Sequence, residues 1–272
     1  MVPVALGSAV AIGETGARWW AVPLAGAVSL ALQVGVNFAN DYSDGVRGTD
    51  DVRVGPQRLV GGGLAAASAV KRAAFAAFGV AAAVGLVLAA TTSWWLLAVG
   101  VASVLAGWFY TGGPNRYGYL GLGEVFVFVF FGLVATAGST FVVLQRIPAT
   151  SWVLGAAAGA LACSLLVINN LRDIPTDSEV GKRTLAVRLG DARTRSLYIL
   201  LVVNAFGLLV VVALLGRPWA LIGLVAAALA IAPVRVVSSG ATGGVLIGVL
   251  GATGKVQLGF GALVTVGMAI SS

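Results

Sequence analysis

Histidine is absent from this 272-residue chain, and cysteine occurs once, as Cys163. Without an imidazole there is no Ser-His-Asp triad, no histidine general base and no histidine metal ligand. A single cysteine permits no internal disulfide, and in its apolar run Cys163 reads as a small packing residue. Charge is also scarce. Only 10% of residues are Asp, Glu, Lys or Arg, against roughly a quarter in a soluble domain. Hydrophobic residues make up 59% of the chain instead, with a mean hydropathy of +0.99. The 38 glycines suit the close backbone approach of helices in lipid. Successive apolar runs of roughly 20 residues predict an all-α, polytopic membrane helix bundle.

Apolar spans fall at about 2–13, 20–39, 69–90, 93–110, 121–144, 151–170, 196–215, 218–234 and 241–270. Nine transmembrane helices around a central cavity are therefore expected, in one domain over residues 1–272. The first span is shorter than the roughly 20 residues that cross a bilayer, and no basic flank precedes it. It reads as a partial helix, or as a chain start inside the first helix, rather than as a signal peptide with a basic n-region. Thirteen of the 17 basic residues lie in or beside the loops after spans two, four, six and eight. Only Arg18, Arg146 and Arg217 lie on the opposite side, and Lys255 is unassigned. By the positive-inside rule those loops face the cytoplasm of a multi-pass cell-membrane protein. The net charge of +7 thus reports orientation in a lipid bilayer, not binding to nucleic acid. No feature points to a protein partner.

Eight of the ten acidic residues occupy two short segments, each at the end of a long apolar run. One carries Asp41, Asp44, Asp50 and Asp51, and the other Asp173, Asp177, Glu179 and Asp191. A carboxylate near hydrocarbon costs about 3 kcal/mol unless it is paired, hydrated or bound to a cation. Residues four apart share a helix face, so Asn37 stacks with Asp41, Asn40 with Asp44, and Asn169 with Asp173. Pro175 bends or ends that last stripe before Asp177. The acidic loops, at about 37–60 and 169–191, lie four spans apart, which suggests two pseudo-repeated halves meeting at a shared site. Clustered Asp, Glu and Asn side chains suit Mg²⁺, which bridges one or two carboxylates to substrate phosphates. Arg47, Arg53, Arg58, Arg172, Lys182, Arg183 and Arg188 are then candidate phosphate contacts. A diphosphate with a polyprenyl tail would suit a cavity open to lipid, and its allylic cation would be stabilised by aromatic faces. Candidate rings are Phe38, Tyr42, Trp108, Phe109, Tyr110, Tyr117, Tyr119 and the run Phe126 to Phe131. Tyr110 is best placed, beside the turn Thr111 to Asn115. Asp51, Glu179 and Asp191 read as solvated charges, Gly61 to Gly63 as a hinge, and Glu124 as a favourable charge at a helix N-terminus that leaves a cavity role open.

Asn40-Asp41-x-x-Asp44, followed after a later helix by Asp173-x-x-x-Asp177, resembles the UbiA superfamily of intramembrane prenyltransferases. The stretches Asn37 to Gly45, Arg53 to Val60, Tyr110 to Gly112, Tyr117 to Tyr119, Asn169 to Asp173 and Gly181 to Gly190 are similar to its menaquinone branch. The resemblance implies a nine-helix bundle in which Mg²⁺ joins both aspartate motifs to a polyprenyl diphosphate. The aromatic acceptor would be 1,4-dihydroxy-2-naphthoate, prenylated with loss of its carboxyl group to give demethylmenaquinol. On this likeness Asn40, Asp41, Asp44, Asp50, Asp173 and Asp177 hold metal, and Asn37 and Asn169 support them. Arg58, Arg172, Lys182 and Arg188 contact diphosphate or carboxylate, with Arg47, Asn115 and Asn170 also at the substrate and Tyr110 and Lys182 taking part in catalysis. Many relatives carry a third aspartate four residues past the second, where this chain has Gly48 and Gly181. The rival readings are the same chemistry on another acceptor such as 4-hydroxybenzoate, and a divalent-cation transporter. Against transport, the acids fall at helix ends among arginines, which would repel a permeating cation.

Overall fold

The computed structural model describes residues 1–49, 57–114 and 116–272, and among these there is no strand. Among the described residues the chain forms nine apolar helices. They are α1 (Val2–Ala9), α2 (Ala21–Val46), α3 (Ala67–Thr91), α4 (Trp95–Phe109), α5 (Gly123–Leu144), α6 (Ala149–Arg172), α7 (Asp191–Leu214), α8 (Pro218–Ser238) and α9 (Val245–Ile270). Seven are long and apolar enough to cross a bilayer, whereas α4 has 15 residues and α1 only 8. The protein is thus an all-α, multi-pass membrane bundle, as its hydropathy predicts.

The axis of the bundle is α6, whose apolar stretch is 67% buried against 28–39% in the other spans. It packs on α5, α7 and α9. The approach to α5 is tight: a Cβ on Gly132 would stand 2.5 Å from the Cα of Gly159. Around that contact α5 loosens into a π-helical turn, Phe128–Val134, a distortion that frequently accompanies functional sites.

The two ends of the bundle differ in chemistry. Trp19, Trp20, Trp94, Trp95, Trp152 and Trp219 all lie exposed at one end, forming the aromatic belt expected where lipid meets water. Glu14 pairs there with Arg146 and Arg217, tying three loops together. The two acidic segments occupy the opposite end. Hydropathy placed the end of span two near residue 39, yet α2 continues to Val46, so Asn40, Asp41 and Asp44 belong to its last turns. Similarly α7 starts at Asp191 rather than near 196. Hydropathy falls where charge begins, but a helix ends only where the backbone is capped.

Candidate active site

Both acidic segments end in the same cap. After α2, Arg47 is the C-cap and Gly48 turns left-handed at φ +70°. The Gly48 N–H then donates to the Gly45 carbonyl, and the Thr49 N–H donates to the Asp44 carbonyl. After the short helix Ile174–Glu179, Gly181 takes φ +72°. Its N–H donates to Ser178, and the Lys182 N–H donates to the Asp177 carbonyl. Each is a Schellman motif, whose left-handed residue is most cheaply glycine. The positions where a third aspartate was missing are therefore the two cap glycines. In both loops the aspartate four residues earlier supplies the carbonyl that closes the cap.

These caps bring the two segments face to face. The Tyr119 hydroxyl donates to Asp44 Oδ1 at 2.8 Å and lies 3.1 Å from Thr49 Oγ1. Lys182 Nζ sits 3.4 Å from Asp177 Oδ1 and 5.2 Å from the centre of the Tyr119 ring. Asp177 Oδ2 is buried with no protein partner. Burial raises the Asp177 carboxyl above its ordinary range, Lys182 opposes that rise, and Asp173 and Asp44 add to it. For Lys182 burial favours the neutral amine, but Asp177, Asp44 and Tyr119 outweigh it and hold the ammonium above the usual lysine range. Arg172 is buried and grips Asp173 with both arms of its fork, at 2.7 and 2.6 Å, while Nη2 also donates to Asn169 Oδ1 at 2.7 Å. Asn40 Oδ1 accepts from Thr111 Oγ1 at 2.9 Å and keeps a lone pair.

Asn37, Asn40, Asp44, Arg58, Asn169, Asn170, Asp173, Asp177, Lys182 and Tyr110 all line one cavity of about 1080 Å³. This is slightly above the usual range for small-molecule sites. Away from the acids its wall is apolar, running through Leu32, Phe78, Gly85, Gly100 and Val104 to Leu88 and Leu96 near the far end. An aromatic file leads in from the polar end. Tyr110 meets Tyr117 edge-on at 5.4 Å, Tyr117 stacks on Phe126 at 3.8 Å, and Phe126 faces Phe130 at 6.0 Å. Burial and the nearby charge of Glu124 push the Tyr110 hydroxyl above the usual tyrosine range.

Several expected residues are placed elsewhere. Asp41 accepts from the Leu59 N–H at 3.0 Å and the Val60 N–H at 2.9 Å, so it anchors the returning loop and does not line the cavity. Arg47 donates to the carbonyls of Ser43, Thr111 and Gly113, tying α2 to the turn after α4. Arg172 reaches Asp173 and Asn169 rather than the cavity wall. Arg188 lies in a separate shallow depression with Arg183, its Nε on the Arg183 carbonyl. Of the candidate rings, Phe38, Tyr42, Trp108, Phe109, Tyr119 and Phe128 do not line the cavity, whereas Phe131 does. Asp50 and Asn115, like Arg53, lie outside the described residues. Sequence reasoning gave no role to Thr111 or Thr49 and treated Tyr119 only as a ring. It also missed the bond from Asn170 Nδ2 to Glu124 Oε1, at 3.0 Å. Only a three-dimensional contact distinguishes such residues from packing.

The donors around Asp44, Asp173 and Asp177 are hard oxygens. Among the described residues no three carboxylates or thiols form a ready-made metal cluster. Sparse carboxylates on opposite sides of a cavity fit Mg²⁺, which keeps waters and takes much of its coordination from substrate phosphate. The unpartnered Oδ2 of Asp177 is a free ligand position of that kind.

Residues 1–243 match the family model described as the UbiA prenyltransferase family. A 1,4-dihydroxy-2-naphthoate octaprenyltransferase of Mycobacterium tuberculosis is 51% identical over 258 residues, covering 95% of this chain and 88% of that protein. The Mycobacterium leprae protein of that name is 49% identical, covering 93% and 86%. The Escherichia coli one is 37% identical over 202 residues, covering 69% and 65%.

Proposed function

We propose that this chain, which belongs to the UbiA prenyltransferase family, transfers a polyprenyl group from its diphosphate to 1,4-dihydroxy-2-naphthoate. The observation that carries the reading is a single cavity, lined by carboxylates and cations at one end and apolar along the rest. That polarity matches an amphiphile with a doubly phosphorylated head and a long hydrocarbon tail. The names of the mycobacterial relatives support the naphthoate as acceptor. The excess of basic residues beside the acidic end supports a site that faces the cytoplasm.

Asp44, Asp173 and Asp177, with Asn40 Oδ1, would hold Mg²⁺. When bound, the ion neutralises charge on the departing diphosphate. Lys182 remains a cation beside Asp177 Oδ1 and contributes to that neutralisation, and Arg58 lines the same cavity. Arg172 orients Asp173 and Asn169 and prevents the Asp173 carboxylate from turning away. In the reaction the allylic C–O bond of the donor breaks, and its electron pair leaves with diphosphate. The faces of Tyr110, Tyr117 and Phe126 line the cavity where the cationic carbon forms, and they stabilise it while excluding water. A ring carbon of the naphthoate supplies the pair for the new C–C bond. Carbon dioxide departs and leaves its bonding pair with the ring, so no net proton has to be removed. The products are demethylmenaquinol, carbon dioxide and diphosphate.

The test is product formation by purified protein in lipid. A long-chain prenyl diphosphate is supplied with either 1,4-dihydroxy-2-naphthoate or 4-hydroxybenzoate, each with and without Mg²⁺. Mg²⁺-dependent prenylation of the naphthoate with release of carbon dioxide is expected. Prenylation of the benzoate alone would keep the mechanism and overturn the acceptor. No turnover of either by folded protein would overturn the reading.

A further inference from the structure

Glu124 is the second residue of α5 and is buried, with 7% of its surface exposed, yet the chemistry above leaves it unused. Its Oε1 accepts from Asn170 Nδ2 at 3.0 Å, and its backbone carbonyl accepts from Cys163 Sγ at 3.1 Å. Its Oε2 is buried with no protein partner. A charge serving only the helix dipole has no need of such burial, because water at the surface would solvate it at no cost.

The bond to Asn170 has a consequence at the cavity. An amide has one donor end and one acceptor end, and a carboxylate oxygen binds only the donor end. Glu124 therefore holds the Asn170 NH₂ toward itself and turns Oδ1 the other way. Asn170 lines the cavity, and among the described residues no donor reaches its Oδ1. That oxygen is also absent from the fully buried atoms without partners, as expected for an acceptor facing open space. The Tyr110 hydroxyl lies at the start of α5, 3.3 Å from where a Cβ on Gly123 would stand, and Tyr110 lines the same cavity as Asn170. A fixed acceptor thus opens on the cavity that the aromatic file also lines.

We propose that Glu124 is a positioning residue that presents Asn170 Oδ1 to a ring hydroxyl of the aromatic substrate. The inference rests on the naphthoate reading and deepens it. A hydroxyl donates to that oxygen, whereas a diphosphate brings only acceptors and is disfavoured there. The acceptor substrate, not the prenyl donor, is the ligand that Glu124 serves.

The experiment compares E124L, E124Q and N170A in lipid, with separate KM values for donor and acceptor. Binding of the two monohydroxy analogues, 1-hydroxy- and 4-hydroxy-2-naphthoate, is measured as inhibition. E124L matches the shape but accepts no hydrogen bond. It is expected to raise the acceptor KM roughly 5- to 30-fold, the effect of 1–2 kcal/mol, and to leave the donor KM unchanged. E124Q keeps an accepting Oε1 and is expected to restore most of the loss. E124L should weaken only the analogue that carries the bonded hydroxyl. Where E124L does not reach the membrane, N170A is expected to give the same split between donor and acceptor. An unchanged acceptor KM in E124L or N170A overturns the role of Glu124, as does equal weakening of both analogues or of the donor. Failure of the unmutated protein to prenylate the naphthoate overturns the naphthoate reading itself, and the inference with it.

Discussion

Asp41 and Asp44 lie three residues apart on α2, and substitution should separate them sharply. Each oxygen of Asp41 accepts one backbone N–H of the returning loop, from Leu59 and Val60 at 3.0 and 2.9 Å. Asp41→Ala leaves two inward-facing N–H groups without an acceptor, at about 1–3 kcal/mol each where water cannot replace it. Partial rescue by water brings the expected local cost to roughly 2–4 kcal/mol. Asp41→Asn retains one accepting oxygen and should cost about half as much. The affected segment carries Arg58, which lines the cavity, so turnover should fall through a poorly held loop. Metal affinity should stay the same, because Asp41 contributes no oxygen to the cavity wall. Asp44→Asn and Asp173→Asn remove a charged ligand instead and should raise the half-saturating Mg²⁺ concentration more than tenfold, the equivalent of about 1.4 kcal/mol. Asp44→Ala and Asp173→Ala should abolish turnover in protein that still inserts and folds. The assay is initial rate against Mg²⁺ concentration, with thermal unfolding of each variant in the same detergent. The reasoning is refuted if Asp41→Asn shifts the Mg²⁺ curve as far as Asp44→Asn does.

Gly181→Ala forces a side chain into φ +72°, where no neighbouring atom lies within 4 Å of the added Cβ, so the penalty is purely conformational. It should cost about 1–2 kcal/mol and lower the melting temperature, whereas Gly79→Ala, with equal space at an ordinary helical φ, should not. Gly85→Phe and Gly100→Phe place a ring in open cavity. Both should retain turnover of short prenyl diphosphates and lose that of long ones, which a chain-length series measures. Burial holds the Tyr110, Tyr117 and Tyr119 hydroxyls above the ordinary tyrosine range, and neighbouring acids hold Lys182 above that of lysine. A raised pKa keeps each group protonated to higher pH, so none of them should titrate between about pH 7 and 9. Any alkaline limb in that window should move with the hydroxyl pKa of the aromatic acceptor, and a limb that stays fixed across acceptor analogues would contradict this.

The fold was largely legible because hydropathy acts through the bilayer on every span. The nine apolar runs and the separation of basic from tryptophan-rich ends follow from transfer free energy alone. The short α1 and α4 are apolar helices too, α1 largely buried by its neighbours and α4 left mostly exposed. Helix ends were less legible. Charge makes residues 40–46 look like a loop, but α2 persists through them until Gly48 supplies the left-handed turn. Read as a sequence, Gly48 and Gly181 are departures from an aspartate pattern. In the fold they are the residues that let Thr49 and Lys182 turn back over Asp44 and Asp177.

The site was legible by residue type and not by role. A helical stripe places Asp41 and Asp44 within one turn of each other, about 100° apart per residue, and both read as ligands. Only the path of the loop through Leu59 and Val60 decides which one remains free. The arginines are ambiguous for the same reason. A guanidinium beside acids serves equally as a phosphate contact or as a clamp on the acid itself. Arg172 proves to be a clamp, and Arg47 a tie between two backbones. Glu124 shows the converse. Its position at a helix start accounts for its charge locally and leaves a cavity role open, and only the fold shows its bond to a residue 46 positions away. Local electrostatics therefore identifies where charge is tolerated in this bundle. The direction in which the Asn170 amide is turned follows from its bond to Glu124, and that bond is set by the packing of α5 against α6.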